Sequence, residues 1–248
     1  MTSPLDGAVA IVTGSAMNIG REICRQLAAM GARVVTHAAT NRAGAEETAA
    51  LIRADGGAAA TWIGDLTDPD GARALVGAAL DAFGGLHILV NNAAICGNDA
   101  LGEMSLETFQ AIMRTNVEAP MLCAQAAAPH MAAAGWGRIV NLGGLSAHRG
   151  VTGRVHVAAS KMALVGMTRA LAAELADDKI TANIVVPGLI DTVRGAAAGK
   201  IPHGGHPNLL DRDGTPAEVA HVVTSLCHPH AAYTTGQTIH VNGGGYLN

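Results

Sequence analysis

Short apolar runs rich in β-branched residues alternate with helical patterns from one end of the chain to the other. A strand is predicted at 8–13 and is followed by an amphipathic helix at about 20–30, which ends at Gly31. Strict alternation with short connections specifies a parallel sheet covered by helices on both faces. The remaining predicted strands are 32–36, 58–63, 86–91, 138–142, 181–186 and 237–241, and the remaining predicted helices are 43–54, 70–82, 106–133, 154–176 and 217–227.

The alternation continues without a linker, repeat or low-complexity segment, which predicts a single domain over residues 1–248. We expect an α/β fold, a Rossmann-type doubly wound parallel sheet of about seven strands. The segment 193–215 is the exception, because it is rich in Gly, Pro and His and lacks clear periodicity. Since ligands bind beyond the carboxyl ends of such strands, a substrate lid is predicted there, with an ordinary surface loop as the alternative.

Composition excludes several classes of partner. Only 2% of the residues are aromatic and the net charge is −4, so we expect no nucleic-acid partner. The longest stretch without acidic or basic residues, 119–137, is mostly alanine and too weakly apolar to span a membrane, so no membrane partner is expected. The cysteines are far apart and the start of the chain lacks a signal-peptide pattern, which predicts reduced, mostly buried thiols in a cytoplasmic protein. They are Cys24, Cys96, Cys123 and Cys227.

A glycine-rich turn follows the first predicted strand and leads directly into a helix. Gly14 permits the tight turn, Gly20 allows close approach of helix and strand, and the helix N-terminus faces the pyrophosphate of a ligand. Asn18 stands where glycine is commonest, and asparagine tolerates positive φ, so the turn is predicted to form. This strand–turn–helix context indicates dinucleotide binding by Gly14, Ser15, Asn18, Ile19 and Gly20.

These residues and several later motifs resemble the short-chain dehydrogenase/reductase family, and most closely the branch of the 3-oxoacyl carrier-protein reductases. The resemblance spans nearly all 248 residues. The other motifs that carry it are Asp65, Asn-Asn-Ala-Ala at 91–94, Asn116, Lys161, Pro-Gly-Leu-Ile-Asp-Thr at 187–192 and Thr-Gly-Gln-Thr-Ile-His-Val-Asn-Gly-Gly at 235–244.

The resemblance implies a cofactor-binding role for many of these residues, and a homo-oligomer, commonly a tetramer in this family. Taken singly, Asp65 has an alternative interpretation as a helix cap, and Pro187-Gly188 as an ordinary end of a strand. In the implied arrangement, Asp65 and Leu66 hold the adenine, Asn92, Ala93 and Ala94 line the ribose side, Lys161 grips the nicotinamide ribose, and Pro187, Gly188 and Thr192 flank the nicotinamide.

The choice of cofactor depends on the residues after the second predicted strand. No acidic residue is present at 36–42 to accept a hydrogen bond from an adenosine ribose 2′-hydroxyl. Thr40, Asn41 and Arg42 are instead suited to a 2′-phosphate. The sequence therefore favours NADP(H) over NAD(H).

The chain departs from the family at the positions of the proton relay. The resemblance implies a tyrosine four residues before Lys161 and a serine thirteen residues before that tyrosine, together with Asn116. Val157 and Gly144 occupy those two positions. An isopropyl group cannot transfer a proton, so the chain either uses a replacement or does not perform the usual reaction.

The segment 143–157 offers the candidate replacements. Arg154 shares a helix face with positions 157 and 161, and as a permanent cation it is predicted to anchor a substrate oxygen or carboxylate. The alternative is a surface arginine. His156 and His148 are the candidate acid/base residues, although a surface or interface role for His156 is as plausible. Ser146 and His148 are expected on a loop over the cleft.

The remaining tyrosines and paired histidines are expected to have other roles. Tyr246 is a further candidate for the missing acid/base, acting at a neighbouring subunit's cleft, and Tyr233 is expected to pack before the last strand. The histidine pairs are predicted to be solvated loop residues without a bound metal, because no Cys or acidic ligand accompanies either pair. These pairs are His203 with His206 and His228 with His230.

Three functions follow from this pattern. The first is an NAD(P)(H)-dependent oxidoreductase acting on a small carbonyl or hydroxyl compound, with its proton supplied by water or a histidine. The second is a non-redox lyase, isomerase or cyclase that uses Arg154 and a histidine. The third is a catalytically inactive, cofactor-binding partner subunit.

Overall fold

The computed structural model describes residues 3–193 and 208–247, so most of the predicted lid segment lies outside the described residues. The predicted boundaries agree with the structure to within two residues, except in the long helix predicted at 106–133. The strands are β1 Val9–Val12, β2 Arg33–Ala38, β3 Ala59–Ile63, β4 Ile88–Asn91, β5 Gly137–Leu142, β6 Ile180–Pro187 and β7 Thr238–Val241. The helices are α1 Asn18–Ala29, α2 Arg42–Ala54, α3 Pro69–Phe83, α4 Leu106–Met113, α5 Ala119–Ala134, α6 Ser146–Arg149, α7 Val155–Glu174 and α8 Pro216–Cys227, with a 3-10 helix at Pro229–Ala231.

The described strands form one parallel sheet in the order β3-β2-β1-β4-β5-β6-β7. Chain order reverses between β1 and β4, and this creates a crevice at the carboxyl ends of the strands. Helices cover both faces of the sheet, which confirms the predicted Rossmann-type α/β fold. In folds of this kind, the crevice is where ligands bind.

Alternation along each strand divides the core into two layers. In β1, Ala10 and Val12 face the layer formed by α1 and α8, whereas Val9 and Ile11 face the layer formed by α3 and α5. All four side chains are completely buried. Each large aliphatic side chain buried in this way contributes about 1.5–3 kcal/mol to stability, so the central strands anchor both layers.

The helix predicted at 106–133 is interrupted by a π-helical turn at Arg114–Glu118, between α4 and α5. Pro120 explains the interruption, because it has no N–H to donate to the carbonyl of Asn116, four residues before it. The side chain of Asn116 is fully buried in this wider turn. Asn116, which is predicted to belong to the active site, therefore lies in the irregular turn between two helices.

The cysteines differ in their burial. All four cysteines are unpaired; Cys24, Cys123 and Cys227 are buried, and Cys96 is half-buried. Burial raises the pKa of each of the three buried thiols to about 12. Within residues 3–193 and 208–247, no helix is both long and apolar enough to cross a lipid bilayer.

Candidate cofactor cleft and active site

The predicted phosphate-binding turn is formed between β1 and α1. Gly14 has a φ of 62°, and a Cβ at this position would lie 2.8 Å from Cα of Ala93. A Cβ on Gly20 would lie 2.5 Å from the carbonyl oxygen of Gly14. Asn18 adopts a φ of 52°, the left-handed conformation that its identity allows. The backbone therefore has the close approach and the curvature of a dinucleotide-binding turn.

The N-terminus of α1 provides donors for an anion. Within the described residues, no side chain caps this helix, and its first turn contains no acidic residue. The first N–H groups of a helix lack partners inside it and attract phosphate. The side chain of Ser15 is buried, and that of Ile19 packs on the core. The donor set fits the pyrophosphate of a dinucleotide.

His37, which the sequence did not single out, supports this turn from β2. Its Nδ1 accepts the N–H of Gly14 at 3.1 Å, and its Nε2 lies 3.0 Å from the carbonyl oxygen of Gly64. Since a carbonyl only accepts, Nε2 carries the proton and the ring is neutral. Burial lowers the pKa of His37, although the hydrogen bond to Gly64 and the nearby Asp65 act in the opposite direction.

Asn92 joins the carboxyl ends of β1 and β4. Its Nδ2 donates to the carbonyl oxygens of Thr13 and Gly14, both at 2.9 Å. In return, Oγ1 of Thr13 accepts the N–H groups of Asn92 and Ala93, both at 3.0 Å. The side chain of Asn92, predicted to line the ribose side, is therefore used to fix the turn, while Ala94 is exposed beside it.

The predicted adenine residues differ in their surroundings. Asp65 is exposed, and its Oδ1 accepts the N–H and the hydroxyl of Thr67, both at 2.9 Å. It is not the cap of α3, since Asp68 caps that helix. The side chain of Leu66 is 5% exposed and belongs to the core. The second carboxylate oxygen of Asp65 accepts no hydrogen bond from the residues that the structure describes.

The three residues predicted to meet a 2′-phosphate are exposed between β2 and α2. Asn41 caps α2, and its Oδ1 accepts the N–H of Gly44 at 3.0 Å. Arg42 is the first residue of α2 and forms no ion pair with any residue that the structure describes. Together with Thr40, Arg42 therefore presents an available cation at the adenosine end of the cleft.

The segment that follows β6 lies at the other end of the cleft. A Cβ on Gly188 would lie 2.7 Å from Cα of Asn242, so the loop after β6 packs directly on the loop after β7. Pro187 is buried at the end of β6, and Oγ1 of Thr192 donates to the carbonyl of Ile190 at 3.3 Å. The residues predicted to flank a nicotinamide are thus held in one loop.

Lys161 is buried at the position where the proton relay is expected. Its Nζ donates to the carbonyl oxygen of Leu142 at 2.7 Å. Burial lowers the pKa of Lys161 to about 8, while the nearby Cys96 acts in the opposite direction. Val157 is 3% exposed, and a Cβ on Gly144 would lie 3.4 Å from Cγ of Lys161. Lys161 thus lies next to Gly144 and one helical turn after Val157, and neither Gly144 nor Val157 carries a group that can transfer a proton.

Asn116 fixes the loop after β4. Its Oδ1 accepts the N–H of Ile95, and its Nδ2 donates to the carbonyl of the same residue, both at 2.9 Å. The Nδ2 also donates to Oγ of Ser160 at 3.1 Å, and Ser160 in turn donates to the carbonyl of Val157 at 2.8 Å. Ser160, which sequence analysis missed, therefore connects Asn116 to α7 beside the relay position.

His156 is fully buried, so the surface alternative for this residue is wrong. Its Nε2 donates to Oδ2 of Asp99 at 3.0 Å, because a carboxylate only accepts. The Nδ1 atom of the same ring is buried without a hydrogen-bond partner among the described residues. Asp99 gave no signal in the sequence, yet it fixes the orientation and tautomer of His156.

Three other candidates lie near α6 and the start of α7. Ser146 and His148 are half-buried in α6, a helix where the sequence predicted a loop. The ring of His148 lies 4.6 Å from that of His240 and 5.6 Å from that of Tyr246, between ring centroids, and burial lowers the pKa of His148. Arg154 is the N-cap of α7 and is half-buried, so it lies just outside the helix in which the sequence placed it.

Comparisons with known proteins agree with this geometry. A family profile described as Enoyl-(Acyl carrier protein) reductase matches residues 14–245. The 3-oxoacyl-(acyl-carrier-protein) reductase of Vibrio cholerae is 36% identical over 98% of this chain and 99% of its own length. A short-chain type dehydrogenase/reductase of Picea abies is also 36% identical, over 97% of this chain and 93% of its own. The chain belongs to the short-chain dehydrogenase/reductase family.

Solved structures extend the similarity to the whole fold of this short-chain dehydrogenase/reductase. A dehydrogenase/reductase from Sinorhizobium meliloti superposes with a TM-score of 0.91 at 32% identity, covering 99% of this chain and 98% of that one. A variant of a Serratia marcescens short-chain dehydrogenase/reductase gives 0.91 at 33% identity, over 98% and 100%. The fold and the family are therefore shown over nearly the full chain.

The remaining predictions for this short-chain dehydrogenase/reductase concern its other tyrosine and the histidine pairs. Tyr233 is fully exposed, so its predicted packing role is wrong. The rings of His228 and His230 pack edge to face, with their centroids 4.8 Å apart. In the part of the chain that the structure describes, no three candidate ligands are grouped as a metal site would need, and His203 and His206 lie outside that part.

Proposed function

We propose that this chain is an NADP(H)-dependent oxidoreductase that acts on a small carbonyl or hydroxyl compound with a non-standard proton donor. The observation that carries the proposal is the joint placement of a formed dinucleotide turn and the buried Lys161. Lys161 lies beside Gly144 at the inner end of the same cleft. Short-chain dehydrogenases combine these two features to hold a dinucleotide next to a substrate.

Arg42 supports the choice of NADP(H). Its guanidinium is exposed at the start of α2, and no carboxylate follows β2 to accept from a ribose 2′-hydroxyl. A guanidinium binds a phosphate through two parallel N–H groups, whereas a ribose hydroxyl gains less from it. We also expect a cytoplasmic homo-oligomer, by similarity to the family.

The chain's own residues divide the work around the substrate. The cofactor supplies or removes a hydride when bound. The ammonium group of Lys161 donates to the nicotinamide ribose in addition to the carbonyl oxygen of Leu142. Asn116 keeps the loop after β4 in place. Arg154 anchors a substrate oxygen or carboxylate from the N-cap of α7.

The proton comes from water or from His156. Asp99 holds the ring of His156 in one orientation, and an imidazole held in this way is a suitable general acid or base. His148 is a weaker candidate, because its ring packs in a cluster with His240 and Tyr246 rather than being held by a carboxylate. Asp99, whose side chain is 38% exposed, connects the buried ring of His156 to the protein surface.

The experiment combines cofactor binding with turnover. NADPH and NADH are titrated by fluorescence, and nicotinamide absorbance is followed with a panel of ketones and 3-oxoacyl thioesters, the latter chosen because the Vibrio cholerae relative is a 3-oxoacyl-(acyl-carrier-protein) reductase. We expect tighter binding of NADPH, and a loss of that preference in Arg42→Ala. His156→Asn should lower turnover while leaving cofactor affinity unchanged.

Other outcomes identify the alternatives. Tight cofactor binding with no turnover on any substrate would contradict the redox proposal and favour an inactive, cofactor-binding partner subunit. Conversion of a substrate without net oxidation or reduction of the nicotinamide would favour a lyase, isomerase or cyclase. Equal binding of NADPH by wild type and Arg42→Ala would remove Arg42 from the cofactor site.

A further inference from the structure

The phosphate-binding turn is tied to the loop after β6 by a single side chain. Nδ2 of Asn18 donates to the carbonyl oxygen of Val193 at 2.8 Å, and Oδ1 of Asn18 accepts the N–H of Val193 at 3.0 Å. The two residues are 175 positions apart in the sequence. One carboxamide therefore pairs with both the N–H and the carbonyl of one residue, as the two residues of a hydrogen-bonded pair do across an antiparallel sheet.

The turn itself does not require this carboxamide. Asn18 has a φ of 52°, a conformation that glycine adopts without cost. Glycine would thus form the same turn with no side chain beyond it. What asparagine adds is the pair of hydrogen bonds to Val193, whose own side chain is 72% exposed and contributes little packing.

The same loop is held from its other side by Gly214. The N–H of Asp191 donates to the carbonyl of Gly214 at 2.8 Å, and the N–H of Gly214 donates to the carbonyl of Leu189 at 2.9 Å. The segment 189–193 therefore forms a strap, fixed at Gly214 and fastened at its end to Asn18. It includes Thr192, predicted to flank the nicotinamide, and it ends on the turn predicted to bind the pyrophosphate.

We propose that Asn18 is a positioning residue for cofactor retention: its carboxamide fastens the strap 189–193 to the phosphate-binding turn and slows the release of a bound dinucleotide. This inference rests on the proposed binding of NADP(H). A dinucleotide held between the turn and Thr192 leaves only when the strap moves away. Breaking the two hydrogen bonds to Val193 lowers the barrier to that movement.

The test measures the dissociation rate of NADPH in Asn18→Gly. Bound NADPH is displaced by excess NADP⁺ in a stopped-flow instrument, and the loss of its fluorescence gives the rate without any knowledge of the substrate. Two solvent-exposed hydrogen bonds correspond to a rise of about five- to tenfold in that rate. Glycine keeps the backbone conformation, so the melting temperature should change little.

Two variants of Val193 act as matched partners. Val193→Ala keeps both main-chain hydrogen bonds and should leave the dissociation rate unchanged. Val193→Pro removes the N–H that Oδ1 of Asn18 accepts, and should raise the rate by less than Asn18→Gly does. Combined with Asn18→Gly, it should add little, because both changes break the same contact.

Each contrary result has a distinct meaning. If the wild type binds neither NADPH nor NADH, both this inference and the proposed function are wrong. If NADPH binds but Asn18→Gly releases it at the wild-type rate, the inference alone is overturned. The same conclusion follows if Val193→Ala accelerates release as much as Asn18→Gly, since the hydrogen bonds would then not be the cause.

Discussion

Nδ1 of His37 accepts the N–H of Gly14 at 3.1 Å, so an imidazole in the second strand supports the turn that follows the first. The other ring nitrogen donates to the carbonyl of Gly64, beyond the third strand. Three neighbouring strand ends are thereby connected through one neutral side chain. The geometry of the phosphate-binding turn depends on the protonation state of His37.

Stability and dinucleotide affinity should both decline on mild acidification. Burial holds the pKa of His37 below its ordinary value of 6.5, so between those two values the unfolded chain binds more protons than the folded one. The stabilisation is complete above about pH 6.5 and is lost as the pH falls below it. Protonation would also place a donor opposite the N–H of Gly14.

Urea denaturation at about pH 7.5 and about pH 5.5 measures this effect. His87, His148 and His240 also have pKa values lowered by burial, so the informative quantity is the difference between wild type and His37→Asn. The Oδ1 of asparagine accepts the N–H of Gly14 without titrating. A shallower pH dependence is expected in the variant, and parallel curves would show that His37 does not contribute.

Restoring the missing hydroxyl groups should create or increase carbonyl reductase activity. A serine fits at position 144, because its Cβ would make an ordinary contact with Cγ of Lys161 at 3.4 Å. Val157→Tyr needs more room, since Val157 is only 3% exposed, and overpacking costs about 1–3 kcal/mol. A positioned acid/base contributes about 100-fold or more to turnover.

The double variant Val157→Tyr with Gly144→Ser is assayed with NADPH and a ketone panel. The control, Val157→Phe with Gly144→Ser, has the same bulk without the phenol and should gain nothing. An intact double variant with no gain in activity would mean that the pocket has been remodelled beyond these two positions.

Lys161→Met should stabilise the fold near neutral pH while weakening cofactor binding. Burial lowers the pKa of Lys161 to about 8, and no ion pair within the described residues compensates its charge. Below that pKa the full cost of the buried ammonium is present. As the pH rises from about 8 towards the ordinary value of 10.5, the folded state loses its proton first and the wild type gains stability.

The expected gain in Lys161→Met is about 1–3 kcal/mol at neutral pH, and it should shrink at alkaline pH as the wild type recovers. Urea denaturation across this range gives the comparison. A variant that is less stable than wild type by the same amount at every pH would indicate that packing, and the hydrogen bond to Leu142, outweigh the buried charge.

Arg154→Ala should abolish most of the activity without changing cofactor affinity. Arg154 is the half-buried N-cap of α7, whereas the phosphate-binding turn precedes α1. Losing one charge-assisted contact to a substrate oxygen corresponds to about a tenfold or greater fall in kcat/KM. Arg154→Lys should retain part of the activity, because lysine keeps the positive charge. Equal losses of activity and NADPH affinity in Arg154→Ala would instead assign Arg154 a structural role.

The features that could be predicted from the sequence are those that depend on local residue patterns. Strand and helix boundaries follow from apolar periodicity, and Gly14 and Gly20 follow from the steric demands of a turn. The π-helical turn at Asn116 was missed, although Pro120, four residues on, was a usable signal for it. These features depend on neighbours in the chain.

Contacts between distant segments were not predictable in this way. The pairs His156 with Asp99 and His37 with Gly14 join residues 57 and 23 positions apart. Helical periodicity gave the direction of His156 around α7 but not what packs against it, so its burial was missed. Such pairings depend on how the loops pack at the carboxyl edge of the sheet. The periodicity of the sequence contains no information on that packing.

The unequal burial of the thiols has a practical consequence for labelling. Reactivity toward maleimides requires the thiolate, and burial keeps Cys24, Cys123 and Cys227 protonated and inaccessible. Cys96 is half-buried in the loop after β4, close enough to Lys161 to influence its charge. Of the four cysteines, Cys96 is therefore the site at which a fluorophore can be attached without substitution, and it reports on the loop after β4.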